Sequence, residues 1–414
     1  MGRRLRVLYV GTLPPHMGGS AISAAGLLAG LVELGHEVLA LAPVTPETEA
    51  AARAFQAANP GIVVTRFQVP FFDTDPCAPG EDGYREHQRD RVRTDLPPLV
   101  ERARPDLLFV GRETFAWDVP DMVEASGLPT LLRLAGGAMV GLSWGTYPVP
   151  LARRLIGELA RMWLLVAPAH HLERTARQFG LPNVIMIPNA VDLSLFVSGE
   201  ASRSLRRALD IHTEDVVVVH ASNLKSVKRP LDIARSAALA IRRDPRLVYV
   251  IVGDGSLRGA LEDTCRAEGI RERFRFVGWV DYRWMPEYLR LADIVVMPSE
   301  GEGMSRVYLE AQACGRLLVT SDIAPAREVV VDGETGLLFP LGDVDAMASR
   351  ILEAARDPRL RDRIGQQARA RVRSHALQDA VARYAECMEQ LVAAGRRPDR
   401  RWHGAQLGKL FERC

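Results

Sequence analysis

Lysine is almost missing from this chain. Of 53 lysines and arginines only three are lysine, at positions 225, 228 and 409. Cysteine is scarce too: five residues, at 77, 265, 314, 387 and 414, scattered and without C-x-x-C spacing. That pattern suggests neither a disulfide framework nor a zinc site, and reduced thiols fit an intracellular compartment. No apolar run approaches the ~20 residues of a spanning helix, and the N-terminal apolar stretch is too short and too soon interrupted for a signal peptide. A cytoplasmic protein is expected. The formal net charge of +2 creates no global field that would call for nucleic acid. The two ends are locally basic, so any membrane contact is expected to be peripheral, at the inner face. What is present is ordinary for a two-domain enzyme: 414 residues, 47% hydrophobic and 25% charged.

Two of the three lysines fall in one loop, Asn223-Leu-Lys-Ser-Val-Lys-Arg229, between the β-rich run Val216–Ala221 and a helix that Pro230 opens at its first position. A compact ammonium on a flexible stem is a reason to keep lysine where arginine would otherwise serve. Lys228, with Arg229 or Lys225, is therefore the candidate diphosphate clamp. A second segment carries Glu302 and Glu310 with seven residues between them. Asp293–Met297 reads as a buried strand, Pro298–Met304 as a Gly-rich loop, and Ser305 as the N-cap of a helix to about Ala313. The N–H groups of Arg306, Val307 and Tyr308 would face a bound anion. Glu302 would sit beside them, and Glu310 a little over a turn down the helix, leaning back toward its start. Phosphates take N–H donors, and sugar hydroxyls take carboxylates.

Strand and helix periods alternate along the chain, which argues for α/β architecture with parallel sheets. The first unit runs from strand Leu5–Val10 through loop Gly11–Gly19 and helix Ala21–Leu34 to strand Glu37–Ala42. Ligands bind where such loops leave the carboxyl ends of strands, so Gly18 and Gly19 are candidates for close backbone approach to a ligand. Gly255 and Val280, at the ends of the runs Leu247–Gly255 and Phe274–Val280, are assigned to the same kind of edge. Phe71–Val92 is polar and poorly periodic and reads as an insertion or mobile loop on the acceptor side.

The segment around Glu302 and Glu310 resembles the E-x7-E signature of the retaining GT-B glycosyltransferases of family 4, in which the first Glu contacts the donor sugar and the second the ribose. The basic loop is similar to that family's R-x4-K donor-phosphate motif, with Asn223 where arginine is usual. Its wording is closest to the branch that makes N-acetylglucosaminyl malate. The Gly18-Gly19 loop, the helix end Leu34-Gly-His-Glu-Val38 and the hinge Pro188-Asn-Ala-Val-Asp192 resemble the same family. The resemblance implies two Rossmann-like parallel-sheet domains facing a cleft: residues 1–196 on the acceptor side, 197–374 binding the nucleotide sugar, and 375–414 as a helix crossing back to the first domain, with a basic tail. It implies catalytic roles for Glu302, Lys228 and Arg229. Donor contacts would come from Gly18, Gly19, Asn223, Lys225, Gly255, Val280, Gly303, Met304, Ser305, Arg306, Val307 and Glu310. One departure stands out. The histidine that family members commonly carry after the fourth or fifth strand is absent; the place reads Arg133-Leu-Ala-Gly-Gly137. Arg133, the Gly136-Gly137 backbone or His16 are the candidate replacements.

Other motifs carry less. Gly253-Asp-Gly-Ser-Leu-Arg-Gly259 has its third glycine at the wrong spacing for a dinucleotide fingerprint. Asp73-Thr-Asp75 and Asp343-Val-Asp345 spell D-x-D, yet the first lies in an irregular stretch and Asp343 reads as an N-cap. His170-His171-Leu-Glu173 lacks metalloprotease spacing. No metal and no cofactor are expected, the nucleotide sugar being a co-substrate. The expected activity is retaining transfer of a hexosyl unit, of glucose or N-acetylglucosamine type, from a nucleotide diphosphate sugar, UDP-linked by resemblance, to an alcohol. The acceptor is a small molecule, glycan or lipid, and the oligomeric state is left open. The rival readings are a sugar-nucleotide 2-epimerase of the same architecture and a catalytically silent sugar-nucleotide-binding protein.

Overall fold

The computed structural model describes residues 3–16, 18–70, 82–116 and 119–395. The chain divides into two units, one made of residues up to Asn189 together with those from Leu377 on, the other of Ala190–Ala376. Each has its own parallel sheet.

In the first unit seven strands lie in the order β3-β2-β1-β4-β5-β6-β7: β1 Arg6–Val10, β2 Glu37–Val44, β3 Ile62–Gln68, β4 Leu107–Val110, β5 Thr130–Arg133, β6 Leu164–Ala167 and β7 Val184–Met186. Strand order reverses direction between β1 and β4, whose Tyr9 and Phe109 are register partners. The strands β4, β5 and β6 are buried at every position, as expected where helices cover both faces.

The helix Leu377–Ala394 packs on the helix Gly19–Glu33 of this unit. Gly26 and Gly30, one turn apart, open the groove it occupies: a Cβ at Gly30 would stand 2.5 Å from Val381 Cγ2.

The second unit holds six strands in the order β10-β9-β8-β11-β12-β13: β8 Val216–Ala221, β9 Leu247–Val252, β10 Phe274–Gly278, β11 Ile294–Met297, β12 Leu317–Ser321 and β13 Leu337–Phe339. The reversal here is between β8 and β11, paired through Val218 with Ile294 and Val219 with Val295. Ligands of such sheets sit outside the carboxyl ends at that reversal. The loops leaving β8 and β11 are the two that carry the lysines and the paired glutamates.

The structure departs from the sequence reading in several places. The division falls at Asn189 rather than after Phe196, because Val191 bonds His375 (N–H to O, 2.9 Å) and Phe196 packs 5.5 Å from Tyr282, both inside the second unit. Residues 82–92, read as part of an irregular insertion, belong to a helix, Asp82–Ala103. The apolar part of its buried stripe, Val92, Leu96, Leu99 and Ala103, begins only where the polar stretch ends, and the buried position before it is Gln88, so the period is invisible earlier. The strands β3, β12 and β13 were not read as strands. β3 is half exposed without clean alternation, and the other two are runs of five and three residues. Among the described residues no helix is long and apolar enough to cross a membrane.

Candidate active site

The loop after β8 is built on backbone contacts. Leu224 donates its N–H to the Asp254 carbonyl at 2.9 Å and accepts from Leu257 at 2.9 Å, which fastens it to the loop after β9. Gly255 lets this happen: a Cβ there would lie 2.7 Å from both the nitrogen and the oxygen of Leu224. The Gly-Asp-Gly wording thus has a packing cause. Gly253, at φ 114°, sits in a conformation that L side chains rarely adopt.

A short turn over Ser226–Lys228 follows, then Arg229 in the left-handed region (φ 48°, ψ 48°) and Pro230 opening the next helix. The guanidinium of Arg229 donates from Nε to Asp232 Oδ2 at 2.6 Å and from Nη1 to Glu300 Oε2 at 3.2 Å. These two bonds hold the helix start and the neighbouring glutamate loop together.

That neighbouring loop leaves β11 at Met297. Glu300 donates its N–H to the Val227 carbonyl at 3.0 Å, so the two loops share a backbone bond. Lys228 Nζ then meets Glu302 Oε1 at 2.5 Å, with the side chains 21% and 8% exposed. Two residues singled out separately in the sequence, 74 positions apart, form one ion pair.

Gly303 and Met304 complete the loop. Ser305 stands at the N-cap position in extended conformation, but its hydroxyl makes no cap bond to the helix Arg306–Ala313. The expected side-chain cap is therefore not made. The Ser305 hydroxyl accepts from none of the first-turn N–H groups of that helix.

Glu310 is held from two sides. Its Oε1 accepts from the Tyr282 hydroxyl at 2.8 Å and from Nε and Nη2 of Arg306 at 3.1 Å each. Arg306 in turn lies over the Tyr282 ring, 5.0 Å from its centroid. The Glu310 and Arg306 side chains are 4% and 12% exposed. Burial first, then the Glu310 charge, pushes the Tyr282 hydroxyl well above the ordinary phenol range. Tyr282 was not anticipated. It sits in the turn Tyr282–Trp284 beyond β10, close in sequence to Val280, and no motif marks it.

His220, on β8, was not anticipated either. It is fully buried, with Nδ1 2.9 Å from the Val296 carbonyl of β11 and Nε2 2.6 Å from the Ser222 hydroxyl. A carbonyl can only accept, so Nδ1 carries the proton and Nε2 accepts from Ser222. Burial lowers its pKa from 6.5 to about 4 against the pull of the Val296 carbonyl, with Lys228 lowering it further. A neutral imidazole thus joins β8 to β11 under the two loops.

The remaining sequence candidates lie in the first unit. Gly18, at φ 128°, precedes the helix that starts at Gly19. His16 is buried in the same loop, Arg133 ends β5, and Gly136 precedes the helix Gly137–Ser143. Asp343 caps the helix Val344–Arg356, its Oδ1 accepting from the Ala346 N–H at 2.8 Å. Asp73-Thr74-Asp75 lies outside the described residues. Among the described residues no group of His, Cys, Asp and Glu is arranged to hold a metal ion.

Residues 202–371 match the family model described as glycosyl transferases group 1. They form a glycosyl transferases group 1 domain. Both site loops, Tyr282 and His220 lie within this group 1 domain. Over 194 residues the chain is 31% identical to D-inositol 3-phosphate glycosyltransferase of Kribbella flavida, which is 45% of this chain and 46% of that protein. Over 212 residues it is 26% identical to N-acetyl-alpha-D-glucosaminyl L-malate synthase of Bacillus anthracis, 50% of this chain and 54% of the other. The chain thus spans about half the length of these curated relatives. The Anabaena protein HepE, crystallised with UDP and glucose, superposes with a TM-score of 0.76 over 94% of this chain and 100% of its own, at 18% identity. That likeness is one of fold, and the fold is GT-B.

Proposed function

We propose that this protein is a retaining glycosyltransferase that moves a hexosyl unit, of glucose or N-acetylglucosamine type, from a UDP-sugar to an alcohol without needing a metal ion. The observation that carries the proposal is the Lys228–Glu302 pair at the β8/β11 reversal. It sets a cation for a diphosphate and a carboxylate for sugar hydroxyls in the loops that lead into the helix Arg306–Ala313. The relatives named D-inositol 3-phosphate glycosyltransferase and N-acetyl-alpha-D-glucosaminyl L-malate synthase, and HepE crystallised with UDP and glucose, favour the nucleotide-sugar reading.

As the bond to the leaving phosphate lengthens, positive charge develops at the anomeric carbon and negative charge on the diphosphate. Lys228 and the first-turn N–H groups stabilise the second, and a preorganised donor of this kind is worth ~2 to 4 kcal/mol of the barrier. Binding of the diphosphate draws Lys228 from Glu302, which frees that carboxylate for sugar hydroxyls. Glu310 takes a ribose hydroxyl. The acceptor hydroxyl enters on the face the phosphate leaves, and a phosphate oxygen removes its proton, so no side-chain base is required.

The test is a thermal-shift panel of UDP-, GDP- and ADP-sugars, followed by turnover with the best donor and NMR of the product's anomeric centre. Ligand binding to the native state raises its stability by mass action. A shift with UDP-sugars and a product that keeps the donor's anomeric configuration are expected. No shift with any nucleotide sugar, or an inverted product, overturns the reading.

A further inference from the structure

The apolar runs of β8 and β12 turn polar at their carboxyl ends. β8 is valine from Val216 to Val219 and then His220; β12 is Leu317, Leu318 and Val319 and then Thr320 and Ser321. All three polar residues are fully buried, where a hydrogen-bonding side chain is costly unless it is paired. They are paired, and each donates to a carbonyl at the exit of β11, the strand between them.

The register of β8 with β11 ends at Val219 opposite Val295. The following carbonyl, of Val296, takes the Nδ1–H of His220 at 2.9 Å. On the other side Thr320 Oγ1 lies 2.8 Å from the Met297 carbonyl and 2.9 Å from the Tyr308 hydroxyl. A carbonyl only accepts, so Thr320 donates to Met297 and accepts from Tyr308. Ser321 donates to the Ser299 carbonyl, inside the loop that carries Glu302.

Two buried relays result. One runs from Ser222 through His220 to Val296, the Ser222 hydroxyl standing 2.6 Å from Nε2 and farther, at 3.2 Å, from the Asn223 carbonyl. The other runs from Tyr308 through Thr320 to Met297. The first starts in the loop that bears Lys228, the second in the helix that follows Glu302, and they end on consecutive carbonyls of one strand. β11 has its last register partner at Met297, so these side chains fix the point from which the glutamate loop departs.

We infer that His220 and Thr320 are positioning residues for the Lys228–Glu302 pair, each tying one element of the site to the end of β11. Supporting hydrogen bonds of this kind hold reacting groups in place, and a misplacement of about 1 Å can cost about a hundredfold in rate. The effect on turnover rests on the proposed transfer; the anchoring does not.

The first experiment needs no ligand: hydrogen exchange of the full chain, read by mass spectrometry. Thr320→Val is expected to speed exchange across residues 298–305, and Ser222→Ala across residues 222–229, by about fivefold or more, the equivalent of one lost hydrogen bond. Exchange in β9 should not change. The second experiment is turnover of a UDP-sugar. Thr320→Val is expected to lower kcat about tenfold or more, and Thr320→Ser, which keeps the hydroxyl, to restore it. In Lys228→Ala protein the same Thr320→Val change should alter kcat less than about twofold, because a residue that acts through the pair is silent once the pair is gone. Should Thr320→Val not fold, Tyr308→Phe deletes a single hydroxyl of the same relay and is expected to lower kcat about threefold.

Unchanged exchange in both loops of folded variants overturns the inference. So does wild-type kcat in Thr320→Val, or a fall of equal size with and without Lys228, which would mark Thr320 as a residue of the fold alone. A wild-type protein that turns over no nucleotide sugar sinks the transferase reading, and the exchange rates then decide the anchoring by themselves.

Discussion

Lys228 Nζ and Glu302 Oε1 lie 2.5 Å apart, closing a bond between the loops that leave β8 and β11. The pair is mostly buried and each member has a role in the proposed chemistry, so its contribution is best tested by removing one side at a time.

Lys228→Ala is expected to lower kcat by about 10²- to 10³-fold, as loss of a single preorganised donor does. Lys228→Arg is expected to recover part of it, since the charge is kept and the reach is not. Steady-state turnover of a UDP-sugar reads both. Near-normal kcat in the alanine variant would remove Lys228 from the leaving-group clamp.

Tyr282→Phe removes the hydroxyl that donates to Glu310 Oε1 and accepts from Arg306 Nη2, and leaves the Arg306–Glu310 bonds in place. A net hydrogen bond is worth about 1 kcal/mol, so a rise in donor KM of roughly fivefold is expected. Turnover at saturation should change little. A fall in kcat with unchanged KM would mean that Glu310 acts on the reacting centre rather than on the nucleoside.

His220 makes stability depend on pH. It titrates near 6.5 when unfolded and at about 4 when folded. The unfolded state binds the proton more readily, so the contribution is complete above pH 6.5 and is lost as pH falls toward 4. The difference amounts to about 3 kcal/mol. Urea unfolding at pH 7.5 and at pH 4.5 measures it. In His220→Gln the loss across that window should be smaller by about that amount, and an unchanged pH profile would show that the imidazole is not the group responsible.

Two glycines of one motif should behave oppositely. Gly255→Ala puts a Cβ 2.7 Å from the Leu224 backbone and is expected to cost about 1–3 kcal/mol through displacement of the loop. Gly259, inside the helix Arg258–Ala267, has open space around it, so Gly259→Ala is expected to stabilise by about 0.5–1 kcal/mol. Denaturant midpoints of the two variants separate a glycine that packing requires from one that it does not.

Much of the second unit was legible from its residues. The run Val216–Ala221, Pro230 at a helix start and Asp343 as an N-cap are local signals, and each is where it was read. Ser305 shows the limit of such signals: the position was right, but the hydroxyl does not cap, because a residue type states a preference and the surrounding loop decides the bond. Tyr282 and His220 carried no usable signal. A lone tyrosine after a strand and a lone histidine within one become site residues only through partners 28 and 76 positions away.

Periodicity and capping chemistry act over a few residues, so the amino-acid order alone determined the alternation of strand and helix, the parallel sheets and the two loops rich in chemistry. Which strands lie side by side depends on packing of buried faces across long stretches of chain, and period is blind to the identity of a partner. Only the tertiary structure set β8 against β11, paired Lys228 with Glu302, and buried Arg133 with its Nε unpartnered.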